Sequence, residues 1–105
     1  MHSVKRIEII SDEVEMHKVL DSLDNIGVPD YTVIRNVLSK TSRGNASDDL
    51  AMTGLGGNVY VIFYCKQEKV KDVVAEIRPI LNKFGGACHI SDAMEIRSVR
   101  CIASM

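Results

Sequence analysis

Asn58-Val59-Tyr60-Val61-Ile62-Phe63-Tyr64-Cys65 is the stretch on which the fold turns. Its β-branched and aromatic residues, uninterrupted by glycine or proline, read as a strand. Successive side chains of a strand leave opposite faces, so Val59, Val61, Phe63 and Cys65 share one face while Tyr60, Ile62 and Tyr64 share the other. Both faces are apolar. Helices cover one face of such a sheet, and an apolar face left over marks an interface. The segment therefore predicts both a half-covered sheet and a homo-oligomer.

Working outward, Val4 to Ile10 alternates apolar and charged positions and reads as a first strand. Ser11 and Asp12 offer capping oxygens for a helix whose apolar face is Met16, Val19, Leu20, Leu23 and Ile26. Asn25 and Gly27 mark its end, Pro29-Asp30 make a turn, and Tyr31 to Leu38 is the second strand. After the third strand, Val70, Val73, Val74, Ile77, Leu81 and Phe84 mark a second helix that ends at Gly85-Gly86. Pro79 inside it lacks an N–H and is expected to kink or loosen it. The last strand runs from Ala87 to about Arg97. Strand, helix, strand, strand, helix, strand is the order of a ferredoxin-like α+β sandwich.

Between the second and third strands, Ser39 to Gly57 shows no sustained period over nineteen residues with four glycines. Small domains keep so long a loop when it is functional or disordered. Lys40 and Arg43 open this loop, and Arg97 and Arg100 close the last strand. The four cations read either as solvated surface charges or as a set converging on a polyphosphate. Gly85-Gly86 reads as a helix C-cap, and its second glycine also lets a backbone N–H approach a phosphate.

The chain has 105 residues, 46% hydrophobic and 26% charged, which suits one soluble domain spanning residues 1–105 and excludes wholesale disorder. A net charge of −1 gives no general affinity for nucleic acid or anionic membrane. The longest apolar run, Val59 to Cys65, is far short of the roughly twenty residues a membrane helix needs, so no membrane insertion is expected. The first residues carry no apolar signal segment. Three cysteines without a C-x-x-C spacing argue against a disulfide framework, and a cytoplasmic address follows. Adjacent Cys88 and His89 point to opposite faces of a strand and are poorly placed to share a metal ion. There is no nucleophile elbow and no Cys/His pairing at a recognisable catalytic spacing, and the acidic cluster Asp12, Glu13 and Glu15 is explained by a helix start, so the chain does not read as an enzyme.

Three segments together carry a family resemblance: Gly27-Val28-Pro29-Asp30-Tyr31-Thr32-Val33-Ile34-Arg35, the loop Ser39 to Gly57, and Ile77-Arg78-Pro79-Ile80-Leu81-Asn82-Lys83-Phe84-Gly85-Gly86-Ala87-Cys88. With the matching element order they resemble the PII superfamily of trimeric signalling proteins. They are most similar to its PII-like branch, associated with carboxysomes and bicarbonate transport. The resemblance implies a homotrimer that binds an adenine nucleotide (ATP, ADP or AMP) in clefts between subunits, together with bicarbonate in several members of the branch. No tightly bound cofactor or metal is implied. The long loop would then be a T-loop that reads the ligand and engages a partner, a membrane bicarbonate transporter in this branch. By the same resemblance Thr32 falls in the adenine-contacting strand, although a β-branched residue there also needs no ligand. Arg97, Gly85 and Gly86 fall at ligand-binding positions, with Asn58 and Tyr60 beside the loop exit and Arg100 in the tail as further candidates. Two departures stand out: Ser39-Lys40-Thr41-Ser42-Arg43-Gly44 replaces a glycine-rich loop opening, and the loop has no tyrosine to be uridylylated. The rival reading is a structural or metal-tolerance trimer of the same fold without a nucleotide site.

Overall fold

The computed structural model describes residues 1–38 and 57–98. Along them run β1 (His2–Asp12), a 3₁₀ turn (Glu13–Glu15), α1 (Met16–Asn25), β2 (Thr32–Val37), β3 (Asn58–Cys65), a second 3₁₀ turn (Gln67–Lys69), α2 (Val70–Phe84) and β4 (Ala87–Glu95). The strands make one antiparallel sheet in the order β2-β3-β1-β4. This is the expected ferredoxin-like α+β arrangement.

Register decides which face is covered. Ile7 lies opposite Phe63 and Ile9 opposite Val61, and these four residues join Val19 and Leu23 of α1 and Val73 and Ile77 of α2 in one buried cluster. Both helices therefore cover the Val61 face. Each such side chain contributes roughly 1.5–3 kcal/mol by leaving water. The opposite face pairs Arg6 with Tyr64, Glu8 with Ile62 and Ile10 with Tyr60 on β1 and β3, and β2 adds Thr32 and Ile34. Among the described residues no helix lies over it, and Ile34 remains 47% exposed.

Local sequence explains most boundaries, with one correction. Asp12 makes no side-chain capping bond, and Ser11 and Asp12 continue β1 as partners of Val59 and Asn58. The sheet ladder has claimed their backbone, so the 3₁₀ turn intervenes and α1 starts only at Met16. At the other end of α1, the N–H of Gly27 bonds the carbonyl of Asp24 at 3.1 Å and that of Val28 bonds Leu23 at 3.0 Å. Gly27 has φ +80°, which completes a Schellman cap. Lys69 Nζ donates to the Ile26 carbonyl at 2.8 Å, placing a cation at the negative helix end. An alanine at Gly27 would meet nothing closer than Lys69 Nζ at 3.9 Å. Only the backbone conformation is penalised, so Gly27→Ala is expected to cost about 1 kcal/mol, read as a drop of a few degrees in thermal unfolding.

The second helix runs unbroken from Val70 to Phe84 through Pro79. The second strand is shorter than its sequence pattern, because a register shift falls between Ile34 and Val37 and Asn36 takes φ 60° there. Beside that bulge, Arg35 donates to the Glu13 carboxylate, and the Glu13 N–H bonds the Gly57 carbonyl at 3.0 Å. A Cβ on Gly57 would sit 3.5 Å from Asn36 Cα. The two ends that flank residues 39–56 are thus held in contact. Among the described residues no helix is long and apolar enough to cross a membrane.

Candidate functional site

Beyond Glu95, where β4 ends, residues 96–98 approach the start of β2 and the end of β3 and close a groove of about 480 Å³. Asp30, Thr32, Ile62, Tyr64, Glu95 and Arg97 are among its lining residues. Thr32 is placed by pairing with Ile62 across β2 and β3. Arg97 Nε donates to the Glu95 carboxylate, and the Arg97 side chain is only 14% exposed. The groove thus joins an apolar and aromatic wall to a hydroxyl, two carboxylates and one shielded guanidinium. Such a set fits a ligand with a flat apolar body and a polar end, with Arg97 the one cation among the described lining residues.

The aromatic groups around the groove have defined partners. Tyr31 packs on the core, and its hydroxyl donates to Asp24 Oδ1 at 3.4 Å. Burial first, then the charge of Asp24, raises its phenol above the ordinary range. Arg6 Nη1 donates to the Tyr64 hydroxyl at 3.0 Å and Arg6 Nε to Glu8 at 3.1 Å. The Glu8 hydrogen bond is the main reason the guanidinium is held above its usual value.

The remaining candidates lie elsewhere. Tyr60 sits across from Ile10 and Ile34, and Asn58 across from Asp12 and Val37, at the opposite end of β3 from Tyr64. Gly85 caps α2, its N–H bonding the Leu81 carbonyl at 2.8 Å. Gly86, at φ +109°, lies so close to β1 that a Cβ would stand 2.3 Å from the Ile10 carbonyl oxygen. The close approach that this glycine permits is therefore to the protein's own backbone. Two strand spacings and two residues of rise separate Ile10 from Thr32, roughly 12 Å. Lys40, Arg43 and Arg100 lie outside the described residues. Of the sequence candidates, the groove gathers Thr32 and Arg97 and leaves Asn58, Tyr60, Gly85 and Gly86 apart from it.

Sequence reasoning missed Asp30, Ile62, Tyr64 and Glu95 as lining residues. Strand parity carried a signal for two of them, since Ile62 and Tyr64 share the uncovered face. Cys88 packs against the core, and register puts His89 across from Glu8 on the other face. Among the described residues no group of three His, Cys, Asp or Glu side chains could hold a metal ion. Burial pushes the Cys65 and Cys88 thiols up.

Residues 4–100 match the family described as nitrogen regulatory protein P-II. No curated protein gives a significant sequence match. Among solved structures, the fold is similar to CPII, a nitrogen regulatory PII-like protein from Thiomonas intermedia, bound to ADP, AMP and bicarbonate. That likeness has a TM-score of 0.77 at 22% identity and covers 93% of this chain and 98% of that one. The apo form of the same protein gives 0.74 at 22% identity, with 92% and 96% covered. A protein from Thermus thermophilus described as PII-like gives 0.70 at 10% identity, with 98% and 96% covered.

Proposed function

The chain belongs to the nitrogen regulatory protein P-II family, and from that premise we propose that it is a non-enzymatic sensor of adenine nucleotide, with bicarbonate as a second ligand. The observation that carries the reading is the groove, which sets Thr32 and a shielded Arg97 beside an apolar wall. Thr32 would meet the adenine edge, since a hydroxyl both donates and accepts. Arg97 would leave Glu95 for a phosphate, an exchange of one anion for a more highly charged one.

One protomer offers only part of such a site. The uncovered sheet face, with Ile34, Tyr60 and Ile62, gives a reason for assembly, and the family premise supports a homotrimer. In it a neighbour's Gly85–Gly86 turn, Asn58 and Tyr60 would complete the cleft. Lys40 and Arg43 of the long segment, with Arg100, would add cations to the phosphates. Residues 1–105 would then act as one domain in the cytoplasm, and the segment 39–56 would report occupancy to a partner, an inorganic-carbon transporter of the membrane. CPII, bound to ADP, AMP and bicarbonate, supports the choice of ligands.

Calorimetry with ATP, ADP and AMP, each with and without bicarbonate, tests the reading. ADP is expected to bind the unmodified protein. Arg97→Gln should weaken it by about 1.5–3 kcal/mol, the value of a charge-assisted hydrogen bond. Glu95→Gln should act in the opposite direction and tighten ADP several-fold, because the competing carboxylate is gone. Neither change should disturb folding much, as a partly exposed ion pair contributes about 1 kcal/mol or less. Failure of all three nucleotides to bind would eliminate the sensor reading.

A further inference from the structure

The uncovered face is divided along its strands. One row across the sheet, Ile34, Tyr60, Ile10 and Ala87, is apolar apart from a phenol hydroxyl. The next row runs Thr32, Ile62, Glu8 and His89, and the one beyond it brings Tyr64, Arg6 and Ser91 together. The charged groups and the imidazole of these rows therefore gather on β1 and β4. Arg6 Nε bonds Glu8 at 3.1 Å and its Nη1 bonds the Tyr64 hydroxyl at 3.0 Å. The Glu8 carboxylate thus has its counter-charge on its own strand, with its side chain 22% exposed. His89 stands exposed on β4, an edge strand whose neighbour in the sheet is β1. From β1 it faces Glu8 directly, with Arg6 and Ile10 on the diagonals, and its own strand adds Ser91 and Ala87.

We infer that His89 makes the self-association of this face proton-sensitive: a neutral imidazole lets further copies of the chain close over it, and a charged one holds them apart. The inference rests on the reading that this face is where protomers assemble. Imidazole is the side chain whose charge ordinarily changes between about pH 5 and 8. With His89 neutral, the charges of Arg6 and Glu8 cancel and the cluster is neutral. A proton on His89 finds Glu8 already engaged by Arg6 and leaves a surplus positive charge in each copy. In the lone protomer water solvates that charge. In the assembly it is buried against a penalty, and a closed symmetric assembly brings the same surplus together from every copy. Association must then release protons, so by linkage it strengthens as pH rises and weakens as pH falls. The other two histidines do not share this setting. His2 lies opposite Glu95 at the far end of β1, and His17 belongs to α1, on the helix side of the sheet.

Sedimentation equilibrium at fixed ionic strength, with circular dichroism to follow the fold, tests this at about pH 8 and about pH 5.5. The unmodified protein is expected to assemble at the higher pH and to lose on the order of tenfold in association constant per protomer at the lower one. His89→Gln should assemble alike at both, and His89→Lys, with its charge fixed, should be weakened at both. A His2→Gln, His17→Gln protein should keep the response of the unmodified one. Arg6→Gln should reverse its sign, because Glu8 is then unbalanced at the higher pH and the proton on His89 neutralises it at the lower. A purely structural role for His89 would not produce that reversal, and it decides alone if His89→Gln fails to assemble. Three results overturn the proton role and leave the assembly reading standing: an unmodified protein whose association is unchanged or tighter on acidification, a His89→Gln protein that keeps the response, or an Arg6→Gln protein that still weakens. An unmodified protein that is monomeric at the higher pH removes both.

Discussion

Ile62→Asp is expected to leave a folded protomer that no longer assembles, whereas Val61→Asp, one residue away, is expected not to fold. Val61 is fully buried beneath both helices. An unpaired carboxylate there costs several kcal/mol, a large share of the roughly 5–15 kcal/mol that holds a small domain together. Ile62 lies on the other face, between Glu8 and Thr32 in register, where an aspartate stays hydrated in the lone protomer. Its local penalty is the like-charge neighbour Glu8, about 1 kcal/mol or less. In an assembly that buries this face the same carboxylate costs about 3–5 kcal/mol, enough to weaken association on the order of a hundred- to a thousand-fold. Ile62→Lys removes the repulsion by Glu8 but still buries a charge, so it should dissociate the assembly as well. Light scattering and circular dichroism on the three variants check this. An Ile62→Asp protein that keeps the unmodified protein's mass, or an unmodified protein that is already monomeric, would rule out this face as the interface.

Gly86→Ala should be the most damaging single methyl addition in the described chain. Two costs combine: a φ of +109° that L side chains rarely adopt, and a Cβ 2.3 Å from the Ile10 carbonyl oxygen and 3.2 Å from Leu81 Cδ2. Leu81 can turn aside, but Ile10 is held in the sheet opposite Tyr60 and Ala87. The end of α2 must move away from β1, or β4 must lose its first pair. A loss of about 3 kcal/mol or more is expected, which for a chain of this size lowers the unfolding midpoint by more than ~10 °C. Gly27→Ala, with the strain but not the collision, is the control. Thermal unfolding of Gly86→Ala within a degree or two of the unmodified protein would show that the β1–α2 approach is wrong.

The uncovered apolar face was legible in eight residues, because strand parity needs no tertiary information. Which face the helices take was not legible, since Val61 and Ile62 are equally apolar and only the pairing of Ile7 with Phe63 decides. Ser11 and Asp12 show the limit of local rules: good capping residues lost to a ladder that their own sequence cannot reveal. Gly85 announced its cap, but the reason Gly86 must also be glycine lies on β1, some seventy residues earlier. In the groove, Thr32 was named through family likeness, and Arg97 as one of four cations suited to a polyphosphate before that likeness singled it out. Glu95 could have been inferred as the partner of Arg97, since residues two apart in extended chain share a side. Asp30 and Tyr64 join the groove only when the chain beyond β4 returns to the start of β2, which no local pattern encodes.

The clasp formed by Glu13, Arg35, Asn36 and Gly57 makes the junction between β2 and β3 a socket. The two rims are already joined by contacts among the described residues themselves. Each doubling of an inserted length adds only about 0.6 kcal/mol of closure entropy. Recombination could therefore exchange that insert for another of different length and composition while the core and the groove stay as they are. A lineage built on this scaffold can therefore vary the length between β2 and β3 at little cost to the sheet.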